Sequence, residues 1–186
     1  MVRSKGIGWA MILFVGIMCG HALAGTSINH EYVSEVYGFR LEYPDSVSEI
    51  KEEVLLRPGA DGTSSRARML EFSSGAGDVR PRLFAITISE NPDHLDLMRL
   101  AQREMKLIYP IPPGPVVRYD SVTFTYSAAI RVGVWEPTDD SSCGPSHTFF
   151  VLECSGRVFR IEGLTAGIIN NMLSSFVMWP CGGPKR

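Results

Sequence analysis

Cys143-Gly144-Pro145-Ser146 followed by His147 is the stretch whose residue types come nearest to chemistry. A cysteine in a Gly-Pro turn serves thiol redox work when a helix follows, because the positive end of the helix dipole favours thiolate. Here the next residues are His147-Thr148-Phe149-Phe150-Val151, which read as a strand, so a proline turn with a structural cysteine is expected instead. His147 stands four positions after Cys143 and is a candidate base for a thiol nucleophile. At a strand entry the two side chains need not face each other, and no third group is in place to orient the imidazole. A hydrogen-bonded histidine at a strand start is the simpler reading.

The remaining reactive residue types are scattered. His30, His94 and His147 have no metal-binding spacing, and neither a Cys-x-x-Cys pair nor a calcium loop is present. Glu136, Asp139 and Asp140 lack the glycine of a calcium loop and read as a solvated loop. Arg66, Arg68, Arg80 and Arg82 bracket a hairpin; such residues more often guard an edge strand than bind an anion. Gly-x-Ser-x-Gly, phosphate-loop and zinc-protease signatures are absent. Triads built from distant residues leave no local trace. No catalytic residue, cofactor-binding residue or metal ligand is assigned, and a non-enzymatic protein is expected.

Export is written more plainly. Arg3 and Lys5 precede an uncharged apolar run from Ile7 to Cys19, and Ala22-Leu23-Ala24 before Gly25 has the small-x-small form that signal peptidase accepts. The run is short for a membrane span and is broken by Gly16, Gly20 and His21. Cys19 follows Met18 and Ile17, a poor setting for lipid attachment. Cleavage between Ala24 and Gly25 is therefore expected, with a periplasmic or secreted product and no stable membrane insertion afterwards. About 160 residues remain, enough for one domain with an ordinary core. The whole chain carries a formal charge of −2, and loss of Arg3 and Lys5 makes it more acidic. Such a balance gives no pull toward nucleic acid.

The elements that must position these residues follow from periodicity. Residues 25–36 show none and read as a flexible lead-in to a domain over 37–180, with 181–186 a tail. Phe39, Leu41 and Tyr43 alternate with Arg40 and Glu42, a half-buried strand. A short strand at Val54 to Arg57 and a hairpin of Arg66 to Phe72 with Arg82 to Ser89 follow. Asn91-Pro92-Asp93 predicts a helix start, after which Leu97, Leu100, Ala101, Met105 and Ile108 share one face. Val116 to Trp135 reads as one long strand, or as two with a turn at Tyr119-Asp120-Ser121. His147 to Cys154 and Arg157 to Glu162 form a hairpin on Ser155-Gly156, and the apolar run Phe149 to Leu152 predicts a central strand covered on both faces. A second helix spans about Thr165 to Ser175. The expected fold class is α+β, an antiparallel sheet covered by two main helices.

The opening Tyr37-Gly38-Phe39-Arg40-Leu41-Glu42-Tyr43-Pro44, the mid-domain helix before a long strand pair, and the late helix running into Ser175-Phe176 resemble the PsbP-like family. That family includes PsbP, Mog and DcrB-type proteins. The chain departs from it after Pro44, where Asp45-Ser46-Val47-Ser48 replaces a common Gly-Trp pair, and at Asp120-Ser121, where a turn glycine is usual. The resemblance implies an antiparallel sheet between helices and a role in binding or assembly, and it carries over no catalytic residue.

Cys143, Cys154 and Cys181 remain after cleavage. An extended His147 to Cys154 holds Cys143 and Cys154 roughly 20 Å apart, too far for a bond that needs Cα atoms within about 7 Å. Cys143 with Cys181 is the expected disulfide, and Cys154 the free thiol. The leading expectation for function is a domain that binds or stabilises an envelope protein through a sheet face or edge. A carrier holding an apolar ligand among Phe84, Phe149 and Trp135 is the alternative, and a Cys143–His147 enzyme the third.

Overall fold

Alternation of Phe39 and Leu41 with Arg40 and Glu42 does produce a strand, and it becomes the middle of a sheet because the first and the last described strands both pair with it. The computed structural model describes residues 28–58, 64–75, 81–110, 115–124, 127–135, 145–164 and 166–179. Strand β1 (Ile28–Ser34), β2 (Phe39–Pro44) and β10 (Val177–Met178) form a three-stranded antiparallel sheet in the order β1-β2-β10. The remaining strands are β3 (Val47–Pro58), β4 (Ser64–Ser74), β5 (Arg82–Glu90), β6 (Val116–Phe124), β7 (Ser127–Trp135), β8 (His147–Cys154) and β9 (Arg157–Gly163). They make a seven-stranded antiparallel sheet in the order β3-β4-β5-β9-β8-β7-β6.

The α+β expectation is overturned. Ten antiparallel strands in two sheets stand against two helices, α1 (Leu97–Ile108) and α2 (Ala166–Ser175), among the described residues, so the molecule is predominantly β. Helix α2 does not cover a face by itself but shares it with the small sheet. Residues 28–34 are not a flexible lead-in: Tyr32 pairs with Leu41 in β1, and its ring packs against Phe39 and Phe72. The absence of strict alternation in this segment concealed a strand whose partner supplies the register.

Period-two alternation divides the large sheet into two cores. On one face, Leu70, Phe72, Phe84, Ile86, Phe150, Leu152, Phe159 and Ile161 meet Phe39 and Leu41 of the small sheet and Ile169, Met172 and Leu173 of α2. Phe72 and Phe84 are directly opposite each other in β4 and β5, with ring centroids 4.0 Å apart. On the other face, Ile130, Val132, Val134, Phe149, Val151 and Val158 meet Leu100, Ala101 and Met105 of α1. Strand β8 lies between β7 and β9 and sends Phe149 and Val151 one way, Phe150 and Leu152 the other.

Helix α1 starts later than the Asn91 signal predicts. Asn91 instead closes a turn, its Oδ1 accepting from Leu95 N at 3.0 Å and its own backbone N–H donating to Gly156 O at 2.7 Å. His94 takes a left-handed φ of 49° within that turn. Asp96 is the cap, its carboxylate accepting from Arg99 N at 2.9 Å. Both residues have short side chains that bond nearby backbone, and the turn claimed the first of them.

Candidate functional site

An open surface that combines charged, aromatic and small residues lies at the β6 end of the large sheet. The expected turn at Tyr119-Asp120-Ser121 does not exist; these residues run through the middle of β6, paired with Val132, Arg131 and Ile130 of β7. Cross-strand register sets Arg118 against Gly133, Asp120 against Arg131, and Gly133 in turn against Thr148 of β8. Arg118, Asp120, Arg131, Gly133, Trp135 and Phe150 line a groove of about 380 Å³ on this face, with Asn170 of α2 on its wall.

Gly133 shapes the groove. A Cβ at this position would lie 3.0 Å from Cη2 and Cζ3 of Trp135, so the indole approaches the strand more closely than a larger residue would allow without shifting it. The Arg118 guanidinium sits 4.8 Å from the centre of that ring, a cation–π contact. Asp120 Oδ2 accepts from Arg131 Nη2 at 2.6 Å and Nε at 3.2 Å. Among the described residues Arg131 is thus neutralised while Arg118 meets an aromatic face and no carboxylate. On the opposite side of β6, Tyr119 packs toward α1, and burial raises the pKa of its hydroxyl.

A second polar cluster is buried under α1. The Glu104 carboxylate has no exposed surface and accepts from Arg57 Nη1 at 2.9 and 2.8 Å; Arg160 Nη1 stands 3.4 Å away and Arg103 Nη2 3.5 Å. Glu162 extends the cluster, with Arg82 at 3.3 Å and His147 Nε2 at 3.9 Å. Arg160 Nε is 3.5 Å from Glu162 Oε2 but out of alignment for a hydrogen bond. Burial lowers the Arg160 pKa, opposed by the nearby Glu162 and Glu104 charges. Every acidic oxygen here already faces a cation, so the cluster serves as internal scaffolding.

Most of the reactive residues read from the sequence do not converge. His30 pairs with Asp45 at 3.0 Å on the small sheet, His94 sits in the turn before α1, and His147 approaches Glu162. Arg68 reaches Glu52 at 3.4 Å and Arg82 reaches Glu162, on opposite faces. Cys143, Cys181, Arg80, Glu136, Asp139, Asp140 and the Ala24–Gly25 junction lie outside the described residues. Among the described residues, no cluster of three or more His, Cys, Asp or Glu is arranged to hold a metal ion, and no helix is long and apolar enough to cross a membrane. The groove itself carries no local sequence signature, since Arg118 and Gly133 meet only through strand register.

The free-thiol expectation for Cys154 is overturned, because this buried residue is disulfide-bonded. Its partner lies outside the described residues. Trp179 N donates to Gly38 O at 3.2 Å, and Arg157, just past the β8–β9 turn, donates to Val36 O at 3.1 Å. The chain therefore reaches the Cys154 end of the large sheet two residues before Cys181, whereas Cys143 precedes the far end of β8, roughly 20 Å away. Peptide mapping without reduction is expected to link Cys154 to Cys181; a Cys143–Cys181 peptide would refute this.

Compared with family models, with curated proteins and with solved structures, the chain matches none.

Proposed function

We propose that this chain is an exported, non-catalytic binding domain that engages an envelope protein through the open β6–β8 end of its large sheet. The observation that carries the reading is the groove beside β6, whose outer side is unpaired among the described residues, with the Trp135 ring close to Gly133 and the Arg118 guanidinium 4.8 Å from its centre. A half-buried tryptophan and an exposed arginine side by side in one concave patch are the residue types that dominate protein recognition. The resemblance to PsbP-like proteins points in the same direction, as do the leader-like first residues.

The carrier reading draws less support. Phe84 and Phe149 are both fully buried and pack in opposite cores, and neither lines the groove that holds Trp135. A thiol enzyme draws none from His147, whose imidazole approaches Glu162.

The test is a comparative pull-down from envelope fractions with the natural protein and with Arg118→Ala/Trp135→Ala. Specific recovery by the natural chain is expected to fall at least tenfold in the double variant, with far-UV circular dichroism unchanged. Equal recovery by both proteins would remove the groove as the binding surface, and a compound released by organic extraction and bound one-to-one would restore the carrier.

A further inference from the structure

The two edges of the large sheet are built differently. Strand β3 places Glu49, Lys51, Glu52 and Glu53 along one edge, the kind of charge run that discourages strand addition. Strand β6, on the other edge, has nine residues with neither lysine nor proline, and nothing among the described residues pairs with its outer side. In an antiparallel ladder, alternate residues bond inward to the neighbouring strand and the rest present N–H and C=O outward. An unblunted edge of this length is a template for another strand.

The side chains of β6 select which strand. The sequence Val116-Val117-Arg118-Tyr119-Asp120-Ser121-Val122 is self-complementary when a second copy runs antiparallel with Tyr119 at the centre. In that register Arg118 stands opposite Asp120 of the second copy, Asp120 opposite its Arg118, and Val116 opposite its Val122. Directly opposed side chains in an antiparallel pair are about 5 Å apart, close enough for ion pairs to favour the register. Centring on Asp120 or on Arg118 would set like charges face to face, and a slip by one residue would turn each groove residue to the wrong face. We infer that this protein forms a two-fold symmetric dimer by antiparallel pairing of β6 with β6 of a second copy, joined by reciprocal Arg118–Asp120 ion pairs.

The local geometry suits this use. Arg118 lies over the Trp135 ring, and a guanidinium that stacks on an aromatic face still has N–H groups able to donate to a carboxylate. Asp120 already accepts from Arg131, and a carboxylate has lone pairs for a second guanidinium. Val116, 65% exposed, would be covered by Val122 of the other copy. The pairing joins two seven-stranded sheets into one of fourteen strands and brings both grooves to the same face on either side of the axis.

Sedimentation of the purified protein up to about 200 µM is expected to show a monomer–dimer equilibrium typical of an interface of modest size. Arg118→Asp and Asp120→Arg should each weaken self-association at least tenfold, because each sets like charges across the axis. Mixed together, the two variants should recover the dimer, since every opposed pair is again of unlike sign. Circular dichroism of each variant checks folding, and recovery on mixing cannot come from unfolded chains. A natural protein that stays monomeric, a dimer indifferent to either substitution, or a mixture that fails to associate would overturn the inference.

Discussion

Glu104→Gln is expected to destabilise the protein by about 3–5 kcal/mol, the cost of leaving buried cations without their counter-charge. Three guanidiniums, those of Arg57, Arg103 and Arg160, stand within 3.5 Å of this one carboxylate, which is wholly shielded from water. Glutamine keeps the shape and removes the charge, so cavity formation contributes little to the result. Chemical denaturation of the purified protein measures it, and a cost below about 1 kcal/mol would show that water reaches the cluster freely. A companion variant separates burial of charge from loss of packing. Replacing Arg57, Glu104 and Arg160 together by Met, Leu and Met removes the central carboxylate with its two most buried guanidiniums and leaves Glu162 its pair with Arg82, and it should cost less than Glu104→Gln alone, because apolar substitutes for a buried ion triad are often neutral.

Phe39→Ala is expected to cost a similar 3–5 kcal/mol, the range for removing a buried phenylalanine. Phe39 is fully buried where three units meet: its ring lies 5.8 Å from Phe159 of the large sheet, 5.2 Å from Phe176 at the end of α2, and 5.9 Å from Tyr32 of β1. Truncation leaves a void that no single neighbour can fill. Hydrogen exchange should then show a local pattern, with protection lost first in β1, β2 and β10 while β5, β8 and β9 remain slow. Uniform loss of protection would mean that the two sheets unfold as one unit.

What was legible in the sequence was what local pattern controls. Phe149 to Leu152 marked a strand covered on both faces, and Ser155-Gly156 marked a turn whose two residues take φ of 53° and 78°. Helical spacing likewise marks the buried face of α1 at Leu100, Ala101 and Met105. Glu104 was overlooked although it falls on that same face, one turn after Leu100 and Ala101; a charge among apolar helical positions is the signal that a buried partner exists. The α+β reading failed because β1 and β10 lack self-sufficient periodicity and take their form from β2. The polar run Tyr119-Asp120-Ser121 suggested a turn, yet an edge strand exposed on one face has the same composition. The groove depended on register, which sets Arg118 beside Gly133 and which no stretch of contiguous residues encodes. The bonding of Cys154 is not legible locally, because its relation to the C-terminal residues hinges on where β10 docks.

The position of β2 between β1 and β10 governs the order in which the fold can be completed. One neighbour of β2 comes from the earliest described residues and the other from the latest, so a chain that emerges progressively from its amino end can assemble the large sheet while one flank of β2 stays bare. Only when Val177 and Met178 arrive does that flank gain its backbone hydrogen bonds. Completion of the small sheet is thereby tied to delivery of the chain through Met178, and a product cut short before Val177 would keep an open strand margin that invites clumping.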